Sequence, residues 1–460
     1  LILKLNKTWR GQLSIFFFCG IAFTILLQFD SVFNPQNDLL LLLLPLAWGS
    51  ITGTIPNFKS DSIVLTPKNV MLFLWLNKLV IIPLVILFVG NMIPVESYIN
   101  QDISTEIIIT IISFVAFVIG WGLFPQKQAI HPIVALNSLK RWAGIYFTIA
   151  LISLFLLYGS LSNYFSGAIF TYVTLEIVEQ NGTVGGFLAN VGQRFWPFGT
   201  LLAWYDQKRK KAEIHWLKQI LWLLLCSAGT LSSNRSNMVY PFLMFLSVMC
   251  VRWRTRRKFW PASIALALII LSFFFGYVRV QPSLDSEQTG ILFGNYMEHD
   301  EYIPYAYQIY FGSPYQITPL LSIHPPSFTL INSLLESIPI LGKAFREQSG
   351  SYIYNLAYHN SLVSQDKVIP VAGELFYNGG YLLVAAVYMA FGIVYRWLDT
   401  AFKNCVVTNL PLAACFFYIS LLFNATLILS LSVLVQFALY NAAPALLFIV
   451  INWWQMREAS

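Results

Sequence analysis

The chain has 460 residues, 57% of them hydrophobic and 11% charged, with a formal net charge of +7 and a mean hydropathy of +0.64. So little charge on so much apolar surface excludes an ordinary soluble fold and makes the bilayer the solvent. The positive excess is what the cytoplasmic loops of a multi-spanning protein carry, and it is no argument for nucleic acid.

Apolar windows long enough to span, or nearly so, recur in chain order at 11–29, 38–55, 70–92, 105–123, 141–158 and 187–205. They continue at 217–233, 237–251, 259–278, 371–395, 410–430 and 432–454. The prediction is an all-α membrane bundle of about 12 helices. Residues 1–278 carry the first nine spans, 279–370 form one large outer loop, and 371–460 carry the last three. The first window follows Lys4, Lys7 and Arg10 without a small-residue cleavage site after it, so an uncleaved first span is expected.

Alternating the spans from an inside amino terminus sorts the charges. Lys59, Lys68, Lys127, Lys140, Arg141, the basic runs at 208–211 and 252–258, Arg396, Lys403 and Arg457 all fall on one side. The positive-inside rule makes that side cytoplasmic, with both termini. The opposite loops carry Asp30, Glu96, Asp102, Glu176 and Glu179. Cys19, Cys226, Cys250, Cys405 and Cys415 show neither metal-ligand spacing nor an outer pair suited to a disulfide.

The loop at 279–370 is far longer than an ordinary connection, and loops of that length tend to carry function. It holds Pro304, Pro314, Pro319, Pro325, Pro326 and Pro339, and residues 328–340 are expected to form short helix at the membrane surface. Tyr302, Tyr305, Tyr307, Tyr310 and Tyr315 suit either stacking on sugar faces or an interfacial aromatic belt. Glu298, His299, Asp300 and Glu301 read as a solvated acidic stretch rather than a metal site.

Outer bases are few: Arg194, Arg235, Arg279, Lys343, Arg346 and Lys367. Arg235 stands in a polar turn at 229–237 between two apolar windows, where a charge is costly and marks a functional site by default. The bland alternative is a snorkelling or ion-paired arginine. A guanidinium fork matches phosphate oxygens and stays charged, which suits a diphosphate. His299, His324 and His359 face outward, and histidine is a natural base for a hydroxyl near neutral pH. Glu374 opens the tenth window, where a carboxylate suits the positive helix end and can hold an arginine or a sugar hydroxyl.

Four places carry a resemblance: Gln193-Arg-Phe-Trp-Pro-Phe198, Ser232-Ser-Asn-Arg-Ser-Asn237, Gly276-Tyr-Val-Arg279, and Tyr358-His-Asn followed by Gly373-Glu-Leu-Phe-Tyr-Asn-Gly-Gly380. In this order, on this topology, they resemble the Wzy-type bacterial repeat-unit polysaccharide polymerases of O-antigen and enterobacterial common antigen. Gly379 stands where that family commonly has an aromatic residue. The resemblance implies a GT-C-like bundle in the bacterial inner membrane that needs neither metal nor cofactor. Its partners would be undecaprenyl-diphosphate-linked oligosaccharides, membrane lipids and a chain-length regulator. The implied reaction moves a glycan from undecaprenyl diphosphate to the non-reducing-end sugar of a lipid-linked repeat unit, with inversion. Arg235, Arg279 and Arg194 would hold the diphosphate, Arg346 and Asn378 would add substrate contacts, and His359 or Glu374 would be the base. An O-antigen ligase shares these features with a different acceptor. A lipid-linked oligosaccharide flippase would be expected instead to have short loops and broken helices near the midplane.

Overall fold

A computed structural model of the chain describes residues 40–54, 65–91, 103–124, 139–160, 162–164, 184–210, 216–229, 235–251, 307–309, 311–321, 329–338, 342–359, 369–428 and 430–459. Among these residues every regular element is helical and no strand occurs. This is what apolar windows impose, because a helix satisfies its own backbone groups where no water can. The windows at 11–29 and 259–278 lie outside the described residues; each of the others falls on helix.

In chain order these are α1 (Leu43–Thr54), α2 (Pro67–Val89), α3 (Ser104–Leu123) and α4 (Leu139–Tyr158). There follow α5 (Val184–Gln193), α6 (Trp196–Lys210), α7 (Trp216–Ala228) and α8 (Arg235–Cys250). The loop region supplies the short α9 (Thr318–Leu321), α10 (Thr329–Glu336) and α11 (Gly350–His359). Last come α12 (Val371–Thr408), α13 (Leu410–Ile428), α14 (Leu431–Gln436) and α15 (Ala443–Ala459). By length and composition, 4 of the described helices can cross a membrane, namely α2, α3, α4 and α12; the pair 431–441 and 443–454, bent by 59°, makes up to 5. Leu156, Leu221, Leu382 and Val407 point outward and exposed, as lipid-facing side chains would.

Local chemistry sets the boundaries. Thr66 caps α2, its hydroxyl accepting from the Asn69 amide at 3.1 Å, with Pro67 at the first helical position. Midway, Asn77–Ile81 form a π-turn. The expected single helix at 187–205 is broken at Arg194 and Phe195, just ahead of Pro197, so α5 and α6 are separate. α12 is longer than its 371–395 window, continuing through Arg396, Asp399 and Lys403 to Thr408. It is interrupted at Gly379 and Gly380; the latter has φ 62° and ψ −161°, a conformation essentially restricted to glycine.

Two apolar cores share the molecule. The first joins α1, α2, α3 and the early part of α12, with Phe311 and Ile317 of the loop region packed into it. The second joins α4, α6, α7, α8, α13, α15 and the later part of α12. α12 threads both, and Phe423 packs against each. Against α3 the approach is backbone to backbone: a Cβ added at Gly120 would lie 1.9 Å from the Met389 carbonyl oxygen, and one at Gly392 would lie 2.1 Å from that of Phe117.

The two ends of the bundle differ. At one end Asp399 is fully buried, accepts from the Lys68 amide at 3.2 Å, and pairs with Lys403 at 2.7 Å and Arg396 at 3.8 Å. The Arg396 guanidinium stacks 4.9 Å over Trp121. The other end gathers the loop segments: Gln308 donates to the Gly90 carbonyl at 2.9 Å, and Thr318 donates to the buried Glu106 carboxylate at 2.7 Å.

Candidate functional site

Glu374 lies at this loop end, in the first turn of α12, and is fully buried. Its backbone is fixed by the Glu374 amide donating to the Pro370 carbonyl at 2.9 Å. Leu320 and Ile317 cover neighbouring Gly373 so closely that an added Cβ would sit 2.8 Å from Leu320 Cδ1. The carboxylate itself abuts the start of α11: a Cβ on Gly350 would be 2.7 Å from Glu374 Oε1 and 3.0 Å from Ser333 Oγ. Ser333 accepts from the Gly350 amide at 2.8 Å, and Ser349 caps α11 by accepting from the Tyr352 amide at 3.2 Å.

Three helix starts therefore converge on one carboxylate: those of α11, of α12, and of α14 through the Leu431 amide. Each presents the positive end of its backbone dipoles, which favours an anion. The Ser333 hydroxyl and the Leu431 amide are close to the carboxylate, and Glu336 adds a second negative charge nearby. The hydroxyl and the amide are the two donors that approach it, and neither completes a full hydrogen bond to either oxygen. A carboxylate taken out of water without a full set of partners is costly, so this one is poised to accept a proton or a hydroxyl donor.

Asn378, one turn on, ties the surroundings together. Its amide nitrogen donates to the Glu374 carbonyl at 2.8 Å, and its oxygen accepts from Thr329 Oγ1 at 3.0 Å and from the Leu330 amide at 3.1 Å. It thereby caps α10, which carries Ser333, and one N–H is left over from those contacts. Directly after it, the Gly379–Gly380 break releases α12 to turn into its long span. The glycine at 379 is sterically required here, since a Cβ would lie 2.7 Å from that of Leu383.

Arg194 lies apart from this site, in a corner of its own. Arg194, buried at the break between α5 and α6, faces the phenols of Tyr158, Tyr164 and Tyr418. Tyr164 donates to the Ala228 carbonyl at 2.7 Å and Trp196 Nε1 to that of Leu225 at 2.7 Å, so the end of α7 is fastened beside Arg194. Trp196 lies on Gly229, where a Cβ would be 2.2 Å from its ring. The chain re-enters helix with Arg235 as the first residue of α8. The Arg235 side chain and residues 230–234 are outside the described residues.

The segment 431–441 spans the distance between Glu374 and the Arg194 corner. Its start approaches Glu374, and Ser337 donates to the Ser432 carbonyl at 2.8 Å. Its π-turn, Phe437–Asn441, meets that corner: Tyr440 packs edge-on against Phe187 of α5 at 4.9 Å, and Phe437 against Tyr240 of α8 at 6.4 Å.

Arg346 is exposed in a single 3-10 turn, where its carbonyl accepts from Ser349 Oγ at 2.8 Å. His359 ends α11, and ten residues of helix put its backbone about 13 Å along the axis from that of Gly350. The side chains of His359 and Lys343 are outside the described residues, as are Arg279, His299, His324, Lys367 and the acidic stretch at 298–301. Of the loop tyrosines, Tyr302, Tyr305 and Tyr310 are likewise outside. Tyr307 and Tyr315 pack inward against the first core, and Tyr307 donates to Asn77 Oδ1. Residues 329–336 are helical as expected for the 328–340 stretch.

Sequence reasoning overlooked Lys78, Glu106 and Ser333. Lys78 is a buried cation in the π-turn of α2, halfway along the span, with its ammonium 5.9 Å from the Trp75 ring centre. The signal was present: a lone charge inside an apolar window. Glu106 had the same signal in the next window, whereas a serine such as Ser333 gives none. Comparison with protein-family models, with curated proteins and with solved structures returns no match.

Proposed function

We propose that this chain is a multi-pass glycosyltransferase of the bacterial inner membrane, a GT-C-like bundle of about 12 spans with both termini cytoplasmic. It passes a growing glycan from undecaprenyl diphosphate to the non-reducing-end sugar of a lipid-linked repeat unit. The observation that carries this reading is Glu374: a carboxylate buried at the loop end, framed by three helix starts, with only the Ser333 hydroxyl and the Leu431 amide near it and no cation paired to it among the described residues. Such a group is suited to receive the proton of an attacking sugar hydroxyl as that oxygen bonds to the anomeric carbon. The departing diphosphate needs fixed cations, and the corner holding Arg194 and the start of α8 supplies them; Arg279 belongs to the same role. Inversion follows from a single in-line displacement. Glu374 is preferred to His359 as the base because the fold builds an environment around it.

Purified protein in lipid vesicles, given the undecaprenyl-diphosphate-linked repeat unit, tests this directly. The expected product is a ladder of lengthened glycans. A single transfer onto a lipid A-type acceptor, without a ladder, would make the chain a ligase. Translocation without any transfer would establish a flippase, the reading favoured by the bent pair at 431–454 and the π-turn carrying Lys78.

A further inference from the structure

Most polar groups around Glu374 are engaged with one another, and one stands apart. Ser333 is fully buried on α10, and its oxygen accepts from the Gly350 amide at 2.8 Å. A hydroxyl has one proton to give and two lone pairs to receive with. The Gly350 bond uses a lone pair, which leaves the proton to be directed elsewhere. Gly350 fills the corner between Ser333 Oγ and Glu374 Oε1, at 3.0 and 2.7 Å from its virtual Cβ, so any larger residue there would force them apart. The frame is rigid on both sides: Asn378 caps the helix that carries Ser333 and also bonds the Glu374 carbonyl.

We propose that Ser333 is a positioning residue whose hydroxyl, held by the Gly350 amide, turns its proton to the Glu374 carboxylate and orients it toward the acceptor sugar. This rests on the proposed role of Glu374 as base. One oxygen takes the Ser333 proton, and the other is thereby aimed at the acceptor hydroxyl. Misorientation of a base costs rate without costing substrate affinity. Ser333 touches no reacting atom; it acts through Glu374.

The test is Ser333→Ala in the purified full-length protein, with two readouts. The transfer rate at saturating acceptor should fall about 10-fold while the acceptor KM stays within about twofold. The infrared carboxyl stretch assigned to Glu374, identified by its loss in Glu374→Gln, should shift in Ser333→Ala as its hydrogen bond disappears. An unshifted band, or an undiminished rate, overturns the proposal. Should Ser333→Ala not reach the membrane folded, Ser333→Cys, nearly isosteric with a weak S–H donor, must give the same shifts at smaller amplitude or the proposal fails. Wild-type transfer by Glu374→Gln would instead overturn the role of Glu374, an outcome the infrared band separates from the first.

Discussion

Asp399 and Glu374 are two carboxylates on one helix, both fully buried, at opposite ends of α12. Asp399 is met on every side, by Lys403, Arg396 and the Lys68 amide. Glu374 has only the Ser333 hydroxyl and the Leu431 amide near it, neither completing a full hydrogen bond, and no cation paired to it among the described residues. A buried charge with a complete set of partners holds helices together; one left incomplete costs stability and is kept for another reason. The contrast separates a fully paired end from an incompletely paired one on the same element, and under the proposed function the second is the working end.

That contrast can be broken at several points. The largest effect is expected from Arg235→Ala: the protein stays in the membrane, polymer disappears from cells, and single repeat units accumulate. Normal polymer length in that strain would remove Arg235 from the reaction. Asp399→Asn should act oppositely, losing stability and sparing chemistry. Removing one partner of a buried pair typically costs 3–5 kcal/mol, and because Lys403 is about a third exposed we expect about 2 kcal/mol here. A thermal melt of the detergent-solubilised protein reads this, and an unchanged midpoint would mean the network anchors nothing. Asn378→Ala should cost about 1–2 kcal/mol through loss of the α10 cap, with loosened protease protection of 329–338. The smallest effect belongs to Lys78→Met, which should leave transfer intact and keep or slightly raise the melting midpoint, because a buried charge is exchanged for an apolar chain of similar volume. Loss of transfer there would move part of the working site to the middle of α2.

The helical architecture was legible because apolar windows and membrane helices are one physical requirement. The structure also gathers the Lys68 amide, Arg396 and Lys403 around Asp399. Interruptions were not legible. Pro197 and Gly192 hinted at the break beside Arg194, but nothing local distinguishes it from a kinked continuous helix. The extension of α12 to Thr408 was hidden by Arg396, Asp399 and Lys403, which lower hydropathy while pairing at helical spacing. Of the candidate site, Glu374 and Asn378 stood out through their motif; they lie one helical turn apart, with the Asn378 amide donating to the Glu374 carbonyl. Ser333 and Gly350 reach Glu374 only through tertiary packing, from residues with no sequence signature of their own. His359 and Glu374 are near in the chain; the Glu374 carboxylate abuts the start of α11, and His359 is that helix's last residue.

The most direct measurement is glycan chain length made by Glu374→Gln in vesicles, against wild type at equal amounts of folded protein. The amide keeps the shape of the carboxylate and removes its capacity to take a proton. The account predicts lipid-linked single repeat units and a rate lower by about 10²–10⁴-fold. A wild-type ladder from Glu374→Gln would contradict it.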